Sequence, residues 1–169
     1  WFQSWFDTSY YHILYKHRDY KEAEAFIKNI VTYLNLNKAD SILDLACGKG
    51  RHSIFLNSLG YDVTGLDLSK NSIEHAKTNE SESLHFEVHD MRNVYETQFE
   101  IVLNLFTSFG YFQDEMDNFK VIQTIKSSLK QNGIGVIDYM NSPLVIDNLI
   151  AHNSYESDGI KFELKRNYK

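Results

Sequence analysis

The chain has 169 residues, 43% of them hydrophobic, which is enough for one domain with a sizeable core and too few for two ordinary ones. Its formal charge is -6 and its Lys and Arg residues are scattered, so its surface repels phosphate and a nucleic-acid partner is disfavoured. The one cysteine, Cys47, closes no internal disulfide, no apolar run approaches the ~20 residues that cross a bilayer, and no signal peptide is visible; a cytoplasmic protein is the simplest expectation.

The N-terminal stretch WFQSWFDTSYYHILYKHRDY is dense in aromatics, which fits a helix over a sheet edge. Asp19 followed by Glu22 reads as a capping box, and Ala23, Phe26, Ile27, Ile30, Val31 and Leu34 then recur at the spacing of a helix with one buried face. Five β-rich runs follow: SILDLA, YDVTGLD, LHFEVHD, FEIVLNLF and GIGVIDYM. Helical patterns lie between them, clearest in Phe119, Ile122, Ile125 and Leu129, with Asn132 and Gly133 as the stop signal. GIKFELKRNYK supplies one more strand. Strands alternating with helices predict an α/β fold, doubly wound around a mostly parallel sheet. Such sheets bind ligands beyond the carboxyl ends of their strands, where the strand order reverses.

ILDLACGKGRHS, Ile42 to Ser53, ends the first strand and falls at that place. Its glycines, Gly48 and Gly50, let a ligand approach the N–H groups that open the next helix. A dinucleotide fingerprint laid on Gly48 would put its third glycine at Ser53 and its acidic ribose ligand at Asp67. A phosphate P-loop fits worse, because Lys49 is not followed by Ser or Thr.

Three carboxylates favour a different ligand. Asp44 lies inside the first strand, where a dinucleotide site keeps apolar residues, and can meet the ammonium of an amino acid directly or through water. Asp67 ends the second strand and can accept both hydroxyls of a ribose. Asp90 and Met91 close the third strand and suit the amino group and the face of an adenine. Ser69 reads as the N-cap of the following helix, and Cys47 as a small buried filler. Arg51 and His52 open a helix, an unfavourable place for a cation unless a carboxylate joins it. The seven histidines show no His-x-x-x-His pair on a convincing helix, and no metal is expected.

These ordered strand-end sites resemble the class I S-adenosylmethionine-dependent methyltransferases over residues 40–140. That family's first motif is an acid followed by G-x-G-x-G; here it reads Asp44, Ala46, Gly48 and Gly50, with Ala46 in place of the first glycine. The resemblance implies a Rossmann-like fold in a single domain over 1–169. An N-terminal aromatic lid and helix would occupy 1–36, the cofactor-binding core 40–140, and the start of a substrate or edge region 141–169. The family's C-terminal antiparallel hairpin, paired at one sheet edge, would be incomplete.

The implied cofactor is S-adenosylmethionine, with S-adenosylhomocysteine as product. By position, Asp44, Ala46, Gly48 and Gly50 would serve the methionine end, Asp67 and Leu68 the ribose, and Asp90 and Met91 the adenine. Leu105 belongs to LNLFTSFGYF, which would pass the sulfonium and floor the acceptor pocket. Tyr11, Tyr15 and Arg18 are the contacts expected from the lid, since aromatic faces attract a sulfonium. Tyr111 is the candidate catalytic residue, orienting an acceptor nitrogen or oxygen by hydrogen bonding. The expected activity is methyl transfer to a small molecule; the alternatives are a protein that binds the cofactor without transfer, and an NAD-dependent oxidoreductase.

Overall fold

A computed structural model describes residues 2–16 and 20–167. Arg18, expected at the site, and Asp19, expected to cap a helix, lie outside them. In chain order the elements are α1 (Phe2–Phe6), α2 (Ser9–Leu14), α3 (Tyr20–Leu34), β1 (Ser41–Leu45), α4 (Arg51–Ser58), β2 (Asp62–Asp67), α5 (Lys70–Lys77) and β3 (Leu84–Val88). They continue with β4 (Phe99–Asn104), α6 (Glu115–Ser127), β5 (Leu129–Ile137), α7 (Ser142–Asp147), β6 (His152–Ser157) and β7 (Ile160–Lys165). Among the described residues, no helix is long and apolar enough to cross a membrane.

β1 to β5 form one parallel sheet in the order β3-β2-β1-β4-β5. The chain winds outward from β1 to β3 and returns to β4 on β1's other side, so the reversal falls between β1 and β4. Asn104, at the end of β4, donates to the Leu45 carbonyl across that point at 2.8 Å. Strand alternation assigns side chains to the two faces. Ile42, Val63, Phe86, Ile101 and Leu103 pack on one side with Ile27 of α3 and Leu56 of α4. Leu43, Leu45, Leu66, Phe99 and Val102 pack on the other with Val121 and Ile125 of α6.

Three sequence expectations change. In α6 the buried residues are Val121, Thr124 and Ile125, whereas Phe119 is 52% and Ile122 39% exposed. The helix ends at Ser127, and Leu129 already pairs with Phe99 in β5. Asn132 and Gly133 therefore lie inside a strand instead of stopping a helix. Asn132 has φ +66, and the β4–β5 register slips between Phe99 and Ile101. The left-handed conformation that suits a helix end also suits a β-bulge, so one local signal fits both.

At the C-terminal end the strand expected in GIKFELKRNYK is β7, and it has a partner: β6 pairs with it antiparallel across a turn at Asp158 (φ +53) and Gly159 (φ +73). Two central residues with positive φ match the twist of a tight hairpin. This hairpin is a separate two-stranded sheet and does not extend the edge of the main one.

Candidate active site

A cavity of about 1120 Å³ opens beyond the carboxyl ends of β1 to β4. Ala46, Cys47 and Gly48 line it after β1, Asp67 to Ser72 after β2, His89 to Met91 after β3, and Leu105 to Ser108 after β4. Trp5, Phe6, Asp7, Tyr11, Tyr15 and Lys16 line it from the N-terminal helices. Of the expected site residues, Ala46, Gly48, Asp67, Leu68, Asp90, Met91, Leu105, Tyr11, Tyr15 and Tyr111 thus meet at one cavity, and Asp44 and Gly50 do not line it.

The glycine loop explains both exceptions. Ala46 turns the chain at φ +67 as its N–H and that of Cys47 donate to the Leu66 carbonyl at 2.7 and 3.0 Å. Gly48 follows at φ +57, and its N–H donates to Asp67 Oδ2 at 2.8 Å. Gly50, at φ +78, precedes α4 and packs inward: a Cβ there would stand 2.6 Å from Phe86 Cζ. Its missing side chain makes room for a phenyl ring of the core, not for a ligand.

Asp44 shares the sheet face of Ile42, and only 1% of it is exposed. Ser53 Oγ, itself buried in α4, donates to Asp44 Oδ2 at 2.6 Å. Burial, opposed by that hydrogen bond and aided by the nearby charge of Asp67, pushes the Asp44 carboxyl up to about 6. Ser53, read as a failed third glycine, is thus the partner of a buried acid.

Asp67 ties two loops together, accepting from Gly48 N–H at Oδ2 and from Ser69 N–H at Oδ1, each at 2.8 Å. Burial raises its carboxyl above the ordinary range, and these backbone donors oppose the rise. Asp90 has a partner that went unread: Arg92 Nε and Nη2 grip its carboxylate, the latter at 2.6 Å, and Arg92 Nη1 reaches Asp117 Oδ2 at 2.7 Å. The bonds from Arg92 hold the Asp90 carboxyl below the usual range. Arg92 also lies over the Phe112 ring, 4.7 Å from its centre. Arg92 follows Asp90 by two residues, a signal present in the sequence; Asp117 sits far along the chain.

The remaining wall is aromatic. Phe6 meets Tyr11 and Tyr111 edge-on, with ring centres 4.9 and 5.2 Å apart, and Tyr15 packs against Tyr11 at 5.0 Å. Arg51 pairs with Glu22 at 3.2 Å, supplying the carboxylate its place at a helix start calls for, and lies over the Phe106 ring at 5.1 Å. Phe106 and Thr107 are consecutive left-handed residues, φ +59 and +55, with Phe106 N–H held by Asp138 Oδ2 at 2.9 Å. Such strain on non-glycine residues concentrates at functional sites. Burial pushes the Tyr11 hydroxyl up to about 12, raises that of Tyr111, and pushes His52 down to about 4.

The chain is similar to proteins already known. A family model described as a methyltransferase domain matches residues 36–165. A putative methyltransferase of Bacillus subtilis, YqeM, is 32% identical over 80% of the chain and 54% of its own length. A glycine/sarcosine N-methyltransferase of Aphanothece halophytica is 31% identical over 77% of the chain and 50% of its own length. The chain thus spans about half the length of these relatives. Among solved structures, an S-adenosylmethionine-dependent methyltransferase from Clostridium acetobutylicum superposes with a TM-score of 0.74 at 23% identity, over 95% of this chain and 67% of that one.

Proposed function

The chain belongs to the methyltransferase domain family, in its class I S-adenosylmethionine-dependent branch, and on that premise we propose that it transfers a methyl group from S-adenosylmethionine to a small-molecule acceptor, leaving S-adenosylhomocysteine. One observation carries the reading: Gly48, Asp67, Asp90 and Leu105, from the ends of four strands, converge on one cavity at the reversal of the sheet.

The residues fit that cofactor. Each Asp67 oxygen accepts one backbone hydrogen bond and keeps a lone pair for a ribose hydroxyl. Gly48 has open space where a Cβ would stand, so a methionine end can lie against the loop. Leu68, Met91 and Leu105 offer apolar surface for an adenine and a sulfonium. Asp44 would act from beneath the loop, through its charge and an intervening water instead of a direct contact.

When bound, the sulfonium supplies an already activated methyl group, so the chain need generate no electrophile. The protein's part is alignment and exclusion of water, and good orientation is worth ~7–11 kcal/mol. Tyr11 and Tyr111 keep their protons at neutral pH, and His52 is a weak base. Such a wall orients an acceptor by hydrogen bonds better than it removes a proton, which suits a neutral amine nitrogen over a hydroxyl. Tyr111 is the residue assigned to hold that nitrogen. Segment 1–36 then covers the core at 40–140, the region from 141 borders the acceptor, and the three work as one domain. The setting is a reducing cytoplasm, in which the Cys47 thiol persists.

The test is transfer of labelled methyl from S-adenosylmethionine by the full-length protein to matched amino and hydroxy compounds. Label on the amines is expected. Label confined to hydroxyls overturns the nitrogen assignment, and tight cofactor binding with no transfer to any compound favours a sensing role.

A further inference from the structure

Asp7 lies in the turn between α1 and α2, on the roof of the cavity. Its carboxylate reaches another element altogether. Oδ1 accepts from Ser69 Oγ at 2.6 Å and Oδ2 from Asn71 Nδ2 at 2.7 Å. Ser69 is engaged at three points: its hydroxyl proton goes to Asp7, its hydroxyl oxygen accepts from Ser72 N–H at 3.0 Å as the cap of α5, and its own N–H goes to Asp67 Oδ1 at 2.8 Å. Asp67 Oδ2 in turn takes the Gly48 N–H at 2.8 Å. An unbroken run of hydrogen bonds therefore descends from the roof through Ser69 and Asp67 to the glycine loop.

We propose that Asp7 is a positioning residue for the cofactor: acting through Ser69, it latches the N-terminal roof to the carboxylate at the ribose seat and slows cofactor release. The inference rests on the cofactor assignment made above. Two carboxylates face each other here, and the serine between them makes the pairing tolerable by giving its hydroxyl proton to one and its amide proton to the other. At its far end the roof is fixed independently, by Tyr155 Oη donating to the Leu14 carbonyl at 2.8 Å and by the ion pair of Lys16 with Asp158. Asp7 is thus a fastening on the cofactor side. Asp7 and Asn71 are exposed, so water replaces the bonds when the roof lifts, and the latch is reversible.

Stopped-flow dissociation of S-adenosylhomocysteine from the full-length protein reads the latch. Asp7→Ala is expected to raise the dissociation rate about tenfold and Asn71→Ala about threefold, the range of one or two exposed hydrogen bonds to a carboxylate. The double variant should release no faster than Asp7→Ala alone, because both changes break one connection. Thermal unfolding midpoints should stay within about 2 °C of the parent, which separates a latch from a general structural role. Ligand binding by the parent with a release rate that Asp7→Ala leaves unchanged would overturn the latch alone; no binding by the parent would overturn the cofactor assignment and the latch with it.

Discussion

The floor and the roof of the cavity are built differently. The floor consists of strand ends, fixed by sheet pairing and by buried side chains: Asp44 on Ser53, Gly50 against Phe86, and Asp67 holding two backbone amides. The roof is two short helices, α1 and α2, fastened by exposed side-chain bonds at Asp7 and Lys16 and by aromatic edges. Damage to the floor should therefore be felt in the folding of the domain, whereas damage to the roof should be felt in exchange and turnover. Closely packed sites transmit any change of volume, and exposed bonds exchange readily with water.

The floor breaks most severely at Gly50. Gly50→Ala adds a Cβ 2.6 Å from Phe86 Cζ at a φ of +78, so overpacking and left-handed strain combine; a loss of about 2–5 kcal/mol is expected in chemical denaturation, partly restored by Phe86→Leu. Asp44→Asn should act in the opposite direction. A carboxyl raised from 3.8 to about 6 on folding contributes stability below pH 4 that is lost as pH rises through 6. The neutral amide still accepts from Ser53, and above pH 7 it should stabilise the fold by up to roughly 3 kcal/mol while flattening the pH dependence between 4 and 6. Denaturation midpoints measured across that range check it, and the same variant should bind cofactor more weakly, a trade of function against stability.

On the acceptor side the effects are kinetic. Tyr111→Phe keeps the edge-on ring contact with Phe6 and loses only the hydroxyl, so turnover should fall about fivefold to tenfold with cofactor affinity unchanged. Unaltered turnover on the true substrate would remove Tyr111 from the site. The smallest effect is expected at Ala46. An alanine at φ +67 bears left-handed strain, and Ala46→Gly should stabilise by about 0.5–1 kcal/mol once the freer unfolded chain is allowed for.

The same division governs what could be read from the sequence. All five parallel strands were visible as β-rich runs, and Gly48, Asp67, Asp90 and Met91 at their ends do line one cavity, because a strand's end fixes where its last side chains go. What the sequence hid were features set by how the elements pack. Asp44 does not line the cavity, because alternation faces it toward α4, where Ser53 donates to it. Phe119 and Ile122 follow helical spacing, yet the face of α6 that meets the sheet carries Val121 and Ile125. Asp7 finds Ser69 and Asn71 more than sixty residues away, with no local pattern to announce it. Two further signals are local in the sequence: Arg92, two residues after Asp90, and Asp158-Gly159, which closes the β6–β7 hairpin.

Asp67 joins the two halves, since the glycine loop below and the roof above both reach its carboxylate, directly or through Ser69. Calorimetry of S-adenosylhomocysteine and of NAD with the full-length protein and its Asp67→Ala variant is therefore the most direct test. The account predicts that the parent binds S-adenosylhomocysteine and not NAD, and that Asp67→Ala weakens this binding by about a hundredfold, the scale of lost hydrogen bonds between a carboxylate and two hydroxyls. Tight NAD binding with no response to S-adenosylhomocysteine, or equal S-adenosylhomocysteine affinity in the two proteins, would contradict it.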